Sequence, residues 1–111
     1  MHRPPHHVTD SWHFLDENGD LADDLRGPAR KLILFLGRII NEMSALPAAR
    51  TFMTRLKCRR RPGRKPCPGE ILSWRNSEND SIKWECCQCG AGGEIMNWRR
   101  SPWDIQWQEG N

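Results

Sequence analysis

The sequence predicts an α+β fold in which an N-terminal helix packs on a small antiparallel sheet formed by the C-terminal half. Three observations predict it. A stripe of apolar residues with a period near 3.6 runs through the first half of the chain. Short β-prone segments separated by Gly, Pro, Asn and Ser fill the second. All five cysteines fall in that second half, four of them spaced to converge on one point.

The 111 residues suit one small domain. Residues 1–11 contain prolines and three histidines without apolar periodicity, and read as a disordered leader. Residues 12–50 form a helical segment that starts with an acidic, turn-rich stretch, where Asn18-Gly19 predicts a tight turn. Asp16, Asn18 and Asp20 suggest calcium ligands. The EF-hand order fails, however, because Gly19 precedes the third oxygen and no glutamate stands at the twelfth position. A solvated turn is the better reading.

Gly27-Pro28 then opens a helix, with proline where a missing N–H costs nothing. Leu32, Phe35, Leu36, Ile39, Ile40 and Met43 make its stripe, and Leu46-Pro47 ends it, giving a helix over 28–45. Ile33 and Leu34 widen the apolar surface beyond one face. This helix either packs on the domain's own sheet or serves a protein partner or a homodimer.

Residues 46–53 read as a connector. Strands follow at 55–58, 70–75, 82–86 and 94–98, within a C-terminal unit spanning 51–111. Leu72 and Trp74 share one strand face; Ile82, Trp84 and Cys86 share another. A sheet this small has few apolar residues, so Trp74, Trp84 and Trp98 are expected in its core, while Trp103 and Trp107 either fold back onto the sheet or await a partner.

Cys58, Cys67, Cys86 and Cys89 read as one tetrahedral metal site. Cys86-Cys87-Gln88-Cys89-Gly90 supplies two thiolates from a tight turn, followed by the glycine that lets backbone N–H groups approach sulfur. Cys58 and Cys67 are separated by eight residues and face that pair from the other side. Cys87 leaves the opposite side of the backbone. No histidine follows His13, which leaves an all-cysteine set, and one structural zinc ion per chain is the expected occupant. Disulfides, an iron site and a redox Cys-x-x-Cys are the alternatives, although the βαβ context of the redox motif is missing.

The charge is unevenly distributed. Residues 1–50 hold 6 Lys/Arg and 7 Asp/Glu, whereas residues 51–111 hold 11 and 7. Lys57, Arg59, Arg60, Arg61, Arg64 and Lys65 crowd around the first two cysteines, and Pro62-Gly63 suits the centre of a type II turn. Arg59, Arg60, Arg61, Arg64 and Lys65 are therefore the candidate nucleic-acid-binding residues, because guanidinium groups pair bidentately with phosphate. Another polyanion would satisfy the same chemistry.

Several classes are disfavoured. A mean hydropathy of −0.78 and the lack of any apolar run near ~20 residues argue against a membrane protein. The first residues lack the apolar core of a secretory signal, so reduced thiols and a cytoplasmic location are expected. No H-x-E precedes the cysteine pair, and no H-E-x-x-H, G-x-S-x-G or phosphate loop occurs, so the chain is read as non-enzymatic.

The span from about 54 to 104 resembles zinc-ribbon proteins, through the Cys86–Gly90 knuckle and its approach strand, Ile82-Lys-Trp-Glu-Cys86. It departs from them at the first knuckle, where two intervening residues become eight. More closely, Cys58-Arg-Arg-Arg-Pro-Gly-Arg-Lys-Pro-Cys67, Cys86-Cys-Gln-Cys-Gly90 and Trp98-Arg-Arg-Ser-Pro-Trp-Asp resemble a group of small bacterial proteins of uncharacterised function. That resemblance implies a ribbon with four thiolate ligands and transfers no activity. An adaptor using the 28–45 helix and the C-terminal tryptophans is the alternative to nucleic-acid binding.

Overall fold

The computed structural model of the chain describes residues 6–46 and 51–109, with side chains described as far as Trp107. A five-stranded sheet carries one long helix on one face. The strands are β1 (His6–Asp10), β2 (Phe52–Lys57), β3 (Glu70–Arg75), β4 (Ile82–Cys86) and β5 (Gly92–Met96), in the spatial order β1-β5-β4-β3-β2. Helix α1 (Gly27–Ser44) carries Pro28 in its first turn. A short helix, α2 (Ile105–Glu109), closes the described chain.

The apolar stripe of α1 is buried as its period requires. Ile33, Leu36, Ile39, Ile40 and Met43 are each at most 2% exposed and pack into one cluster with Leu56, Ile71, Ile82, Trp84 and Ile95. Each such side chain stabilises the fold by roughly 1.5–3 kcal/mol relative to exposure. The helix therefore lies on its own sheet, and Leu34 alone of its large apolar residues stays exposed.

Strand register fixes which residues share that covered face. Ile71 pairs with Cys86, Ser73 with Trp84 and Ile82 with Ile95. Phe35 meets the Trp84 ring edge-on, with centroids 5.4 Å apart. Trp98 is buried at the sheet's end, where its indole N–H donates to the Asp80 carbonyl at 2.6 Å. The Arg75 and Arg99 guanidinium groups lie 4.5 and 4.6 Å from its ring centre. Trp74 corrects the expected core. It lies with Leu72 on the uncovered face and is half-buried, because alternation separates two faces without saying which one a helix covers.

The sheet also departs from the expected antiparallel arrangement. Residues 6–10 form β1, which pairs in parallel with β5, where the sequence reads as a leader; residues 1–5 of that leader lie outside the described residues. The pairing depends on Gly92 and Gly93. A β-carbon on Gly93 would collide with the His7 carbonyl, so only glycine lets the two backbones approach. Side chains then secure the far end of the strand: Ser11 Oγ donates to the Asn97 carbonyl at 2.6 Å and Asn97 Nδ2 to Asp10 Oδ2 at 2.9 Å.

β2 begins at Phe52, inside the stretch read as a connector, and β5 runs two residues ahead of its expected position; residues 47–50 lie outside the described residues. The Asn18-Gly19 turn is present, with Gly19 at φ 81°. The Asp16 carboxylate there accepts the N–H groups of Asn18 and Asp20 at 2.8 and 3.0 Å. At the other end Trp103 lies against Gly37 of α1, and Ser44 Oγ accepts the Ile105 N–H at 2.9 Å. The segment after β5 is thus docked on the helix.

Candidate metal centre

Two backbone turns at the same end of the sheet bring the four cysteines together. The first begins as β2 ends. The Cys58 N–H donates to the Gly69 carbonyl at 2.8 Å, and the Cys67 N–H donates to the Arg60 carbonyl at 2.9 Å. These bonds extend the β2–β3 ribbon past its strands and hold both cysteines at the base of the long loop. The second turn follows β4: the Cys86 N–H donates to the Ala91 carbonyl at 2.7 Å, and Gly90 adopts φ 78°, a conformation suited to glycine.

Each sulfur receives the N–H of the residue two positions on. Arg60 donates to Cys58 at 3.5 Å, Gly69 to Cys67 at 3.5 Å and Gln88 to Cys86 at 3.4 Å. The Ala91 N–H serves Cys89 in the same way. Such bonds favour the thiolate over the thiol.

The four Sγ atoms lie within 4.8 Å of one another. Cys58 Sγ is 3.8 Å from Cys89 Sγ, and Cys67 Sγ is 3.7 Å from Cys86 Sγ. A metal–thiolate bond of about 2.3 Å implies tetrahedron edges of about 3.8 Å, so the donor set fits one four-coordinate ion. The same separations are nearly twice the ~2.0 Å of a disulfide. Cys58, Cys67 and Cys86 are buried and Cys89 is half-buried.

Cys58, Cys67 and Cys89 are shifted in different directions by their surroundings. Burial pushes the Cys58 thiol up to about 12 against the lowering effect of the Arg60 N–H. At Cys67 the Gly69 N–H pulls down, but burial and the neighbouring Cys86 and Cys89 outweigh it, and the thiol is raised. Burial raises Cys89 too. Hydrogen bonds from Ala91, Cys86, Cys58 and Cys67 overcome that and bring it down to about 7. Cys89 thus collects hydrogen bonds that favour its thiolate, and a bound dication would displace protons from its thiol ligands.

Cys87 stays out of the cluster, as its position predicts. Its thiol is exposed and donates to the Glu70 carbonyl at 3.1 Å. Gly69 is a site residue that the sequence reading overlooks. A β-carbon there would run into the Cys86 sulfur, and its signal was the Cys67-Pro68-Gly69 order.

The candidate nucleic-acid-binding residues project from the loop this centre anchors. Arg59, Arg61, Arg64 and Lys65 are exposed and Arg60 is half-buried. Lys57 pairs with Glu70 at 3.6 Å. None of the other five cations pairs with an acid among the described residues. Arg59 lies 5.8 Å over the Phe35 ring. The tip is tighter than a single type II turn. The Arg64 N–H bonds to the Arg61 carbonyl and the Lys65 N–H to that of Pro62, with both Gly63 (φ 64°) and Arg64 (φ 66°) left-handed.

The chain matches no protein-family model, no curated protein and no solved structure. Among the described residues no helix is long and apolar enough to cross a membrane.

Proposed function

We propose that Cys58, Cys67, Cys86 and Cys89 hold one structural zinc ion, and that the chain is a non-enzymatic, zinc-ribbon-like module of the cytoplasm that binds nucleic acid through its Arg-rich loop. The observation that carries this reading is the placement of Cys58 and Cys67 at the two feet of the loop, with their sulfurs 3.8 and 3.7 Å from the second pair. Four thiolates complete a zinc ion's coordination, which suits a structural site, whereas catalysis requires an open position. Zinc, when bound, would supply folding energy and fix the loop's base.

The loop's composition supports the second half of the reading. Arg60, Arg61, Arg64 and Lys65 repel one another without an acid to relieve them among the described residues. A phosphate backbone supplies that relief.

Affinity for DNA and RNA measured against salt tests the proposal. Each engaged phosphate contributes about 0.9 to the slope of log K against log [salt]. Changing Arg59, Arg60, Arg61 and Arg64 together to Gln should flatten that slope by about 3 to 4. Parent protein that binds neither nucleic acid, or a variant with an unchanged slope, would remove the loop from the account.

A further inference from the structure

The four sulfurs of the centre are not equally shielded. Cys58, Cys67 and Cys86 are only 8, 6 and 2% exposed, whereas Cys89 is half-buried. Cys89 sits on the knuckle turn, and an open cleft of about 420 Å³ runs along that turn, lined by Leu72, Glu85 and residues 86–90. Neither Cys58 nor Cys67 borders the cleft. A solute little larger than water therefore meets the centre at Cys89.

The sulfur poised to join it is that of Cys58, 3.8 Å away. Both residues lie outside the strands, since β2 ends at Lys57 and β4 at Cys86. Closing 3.8 Å to the ~2.0 Å of a disulfide moves two turns by about 1.8 Å and leaves every strand pair in place. Cys67 and Cys86 are as near to each other, at 3.7 Å, but both are buried, and Cys86 belongs to β4, where it pairs with Ile71. Cys86 Sγ also accepts the N–H groups of Gln88 and Cys89, at 3.4 and 3.5 Å. That holds it back from a linkage within the knuckle. Cys87 is no rival, because its thiol is directed at the Glu70 carbonyl and lies 3.6 Å from Met53 Sδ.

We propose that Cys89 and Cys58 are a peroxide-sensitive thiol pair, which on oxidation closes a Cys58–Cys89 disulfide and gives up the metal. The inference rests on the zinc reading of the centre. Coordination keeps the sulfurs as thiolates, the form that attacks peroxide. The Cys89 sulfur attacks one oxygen of hydrogen peroxide: an S–O bond forms, the O–O bond breaks, and the departing hydroxide takes a proton to become water. The Cys58 thiolate then attacks the Cys89 sulfur: the S–S bond forms, the S–O bond breaks, and the second hydroxide likewise leaves as water. Two thiolates have then given two electrons to one peroxide, which with two protons becomes two waters. With two of the four ligands joined, the set no longer suits a four-coordinate dication. The Cys67 foot of the loop loses its anchor, while the Cys58 foot stays tied to the knuckle.

The test uses whole, zinc-loaded Cys87→Ser protein, whose only cysteines are the four ligands. Hydrogen peroxide is added in steps, released zinc is read with a chromogenic chelator, and disulfides are mapped by mass spectrometry after alkylation of the remaining thiols. The expected result is one zinc ion released for each Cys58–Cys89 linkage, with Cys67 and Cys86 still open to alkylation at the first additions. A thiol reductant with added zinc should restore full loading. The parent protein should give the same linkage, with Cys87 still alkylated.

A first disulfide between any other two cysteines overturns the proposal. So does zinc lost only as Cys89 reaches the sulfinic acid, which a thiol reductant does not reverse. Zinc retained against excess peroxide would remove the switch and leave the zinc reading standing. A protein isolated without zinc that still forms the Cys58–Cys89 disulfide would remove the zinc reading and leave the thiol pair standing.

Discussion

Gly69 lies against the sulfur of Cys86, so close that a β-carbon at position 69 would overlap it. Gly69 also donates its N–H to Cys67 Sγ at 3.5 Å, and Cys67 Sγ is 3.7 Å from that of Cys86. One glycine thus lets a sulfur from each pair approach the same point. The Gln88 β-carbon and backbone nitrogen crowd the same spot, at 2.6 and 3.1 Å from the added carbon, so it meets more than the sulfur.

Gly69→Ala should therefore separate the two cysteine pairs. Overpacking of this kind costs about 1–3 kcal/mol. Cobalt(II) titration of the four-thiolate band should show affinity falling by about tenfold or more. Unchanged cobalt binding would mean that the two turns can separate without opening the site.

Trp103 packs on α1 at Gly37, where an added β-carbon would lie 2.5 Å from its indole nitrogen. Alanine raises helix propensity by about 1 kcal/mol over glycine, so a clash and a gain oppose each other. The clash should win, lowering the thermal midpoint of Gly37→Ala, and Trp103→Ala in the same chain should make alanine at 37 favourable. A midpoint that rises in the single variant would show that Trp103 moves aside freely.

Glu94 gives the fold a defined acid response. The Ser81 hydroxyl donates to its carboxylate at 2.7 Å, and Asn76 Nδ2 lies 3.5 Å away; both hold the acid below the usual carboxylate range. A carboxyl depressed in the folded state contributes stability above its unfolded pKa and loses it as pH falls through the folded value. Glu94→Gln should therefore be less stable than the parent at neutral pH, with the difference shrinking once pH falls below the ordinary carboxylate pKa and gone below the depressed folded value. Chemical denaturation at neutral and acid pH measures it, and a gap that does not change with pH would contradict the assignment.

Much of this architecture was legible in the residues. The 3.6-residue stripe identified α1 because burial of one helix face writes itself into the sequence. β3 and β4 were bounded correctly because alternating Ile, Leu and Trp mark a sheet with one covered face. The cysteine convergence was readable from spacing. β1 was not, since His-His-Val-Thr-Asp pairs through its backbone against Gly92 and Gly93 and carries no pattern of its own.

Metal analysis of the purified protein and two serine variants tests the central claim most directly. The account predicts one zinc ion per chain, with loading retained in Cys87→Ser, whose thiol points away from the cluster, and lost together with the fold in Cys89→Ser. A parent protein that is folded and metal-free after chelation, or a Cys89→Ser variant that keeps both zinc and fold, would contradict it.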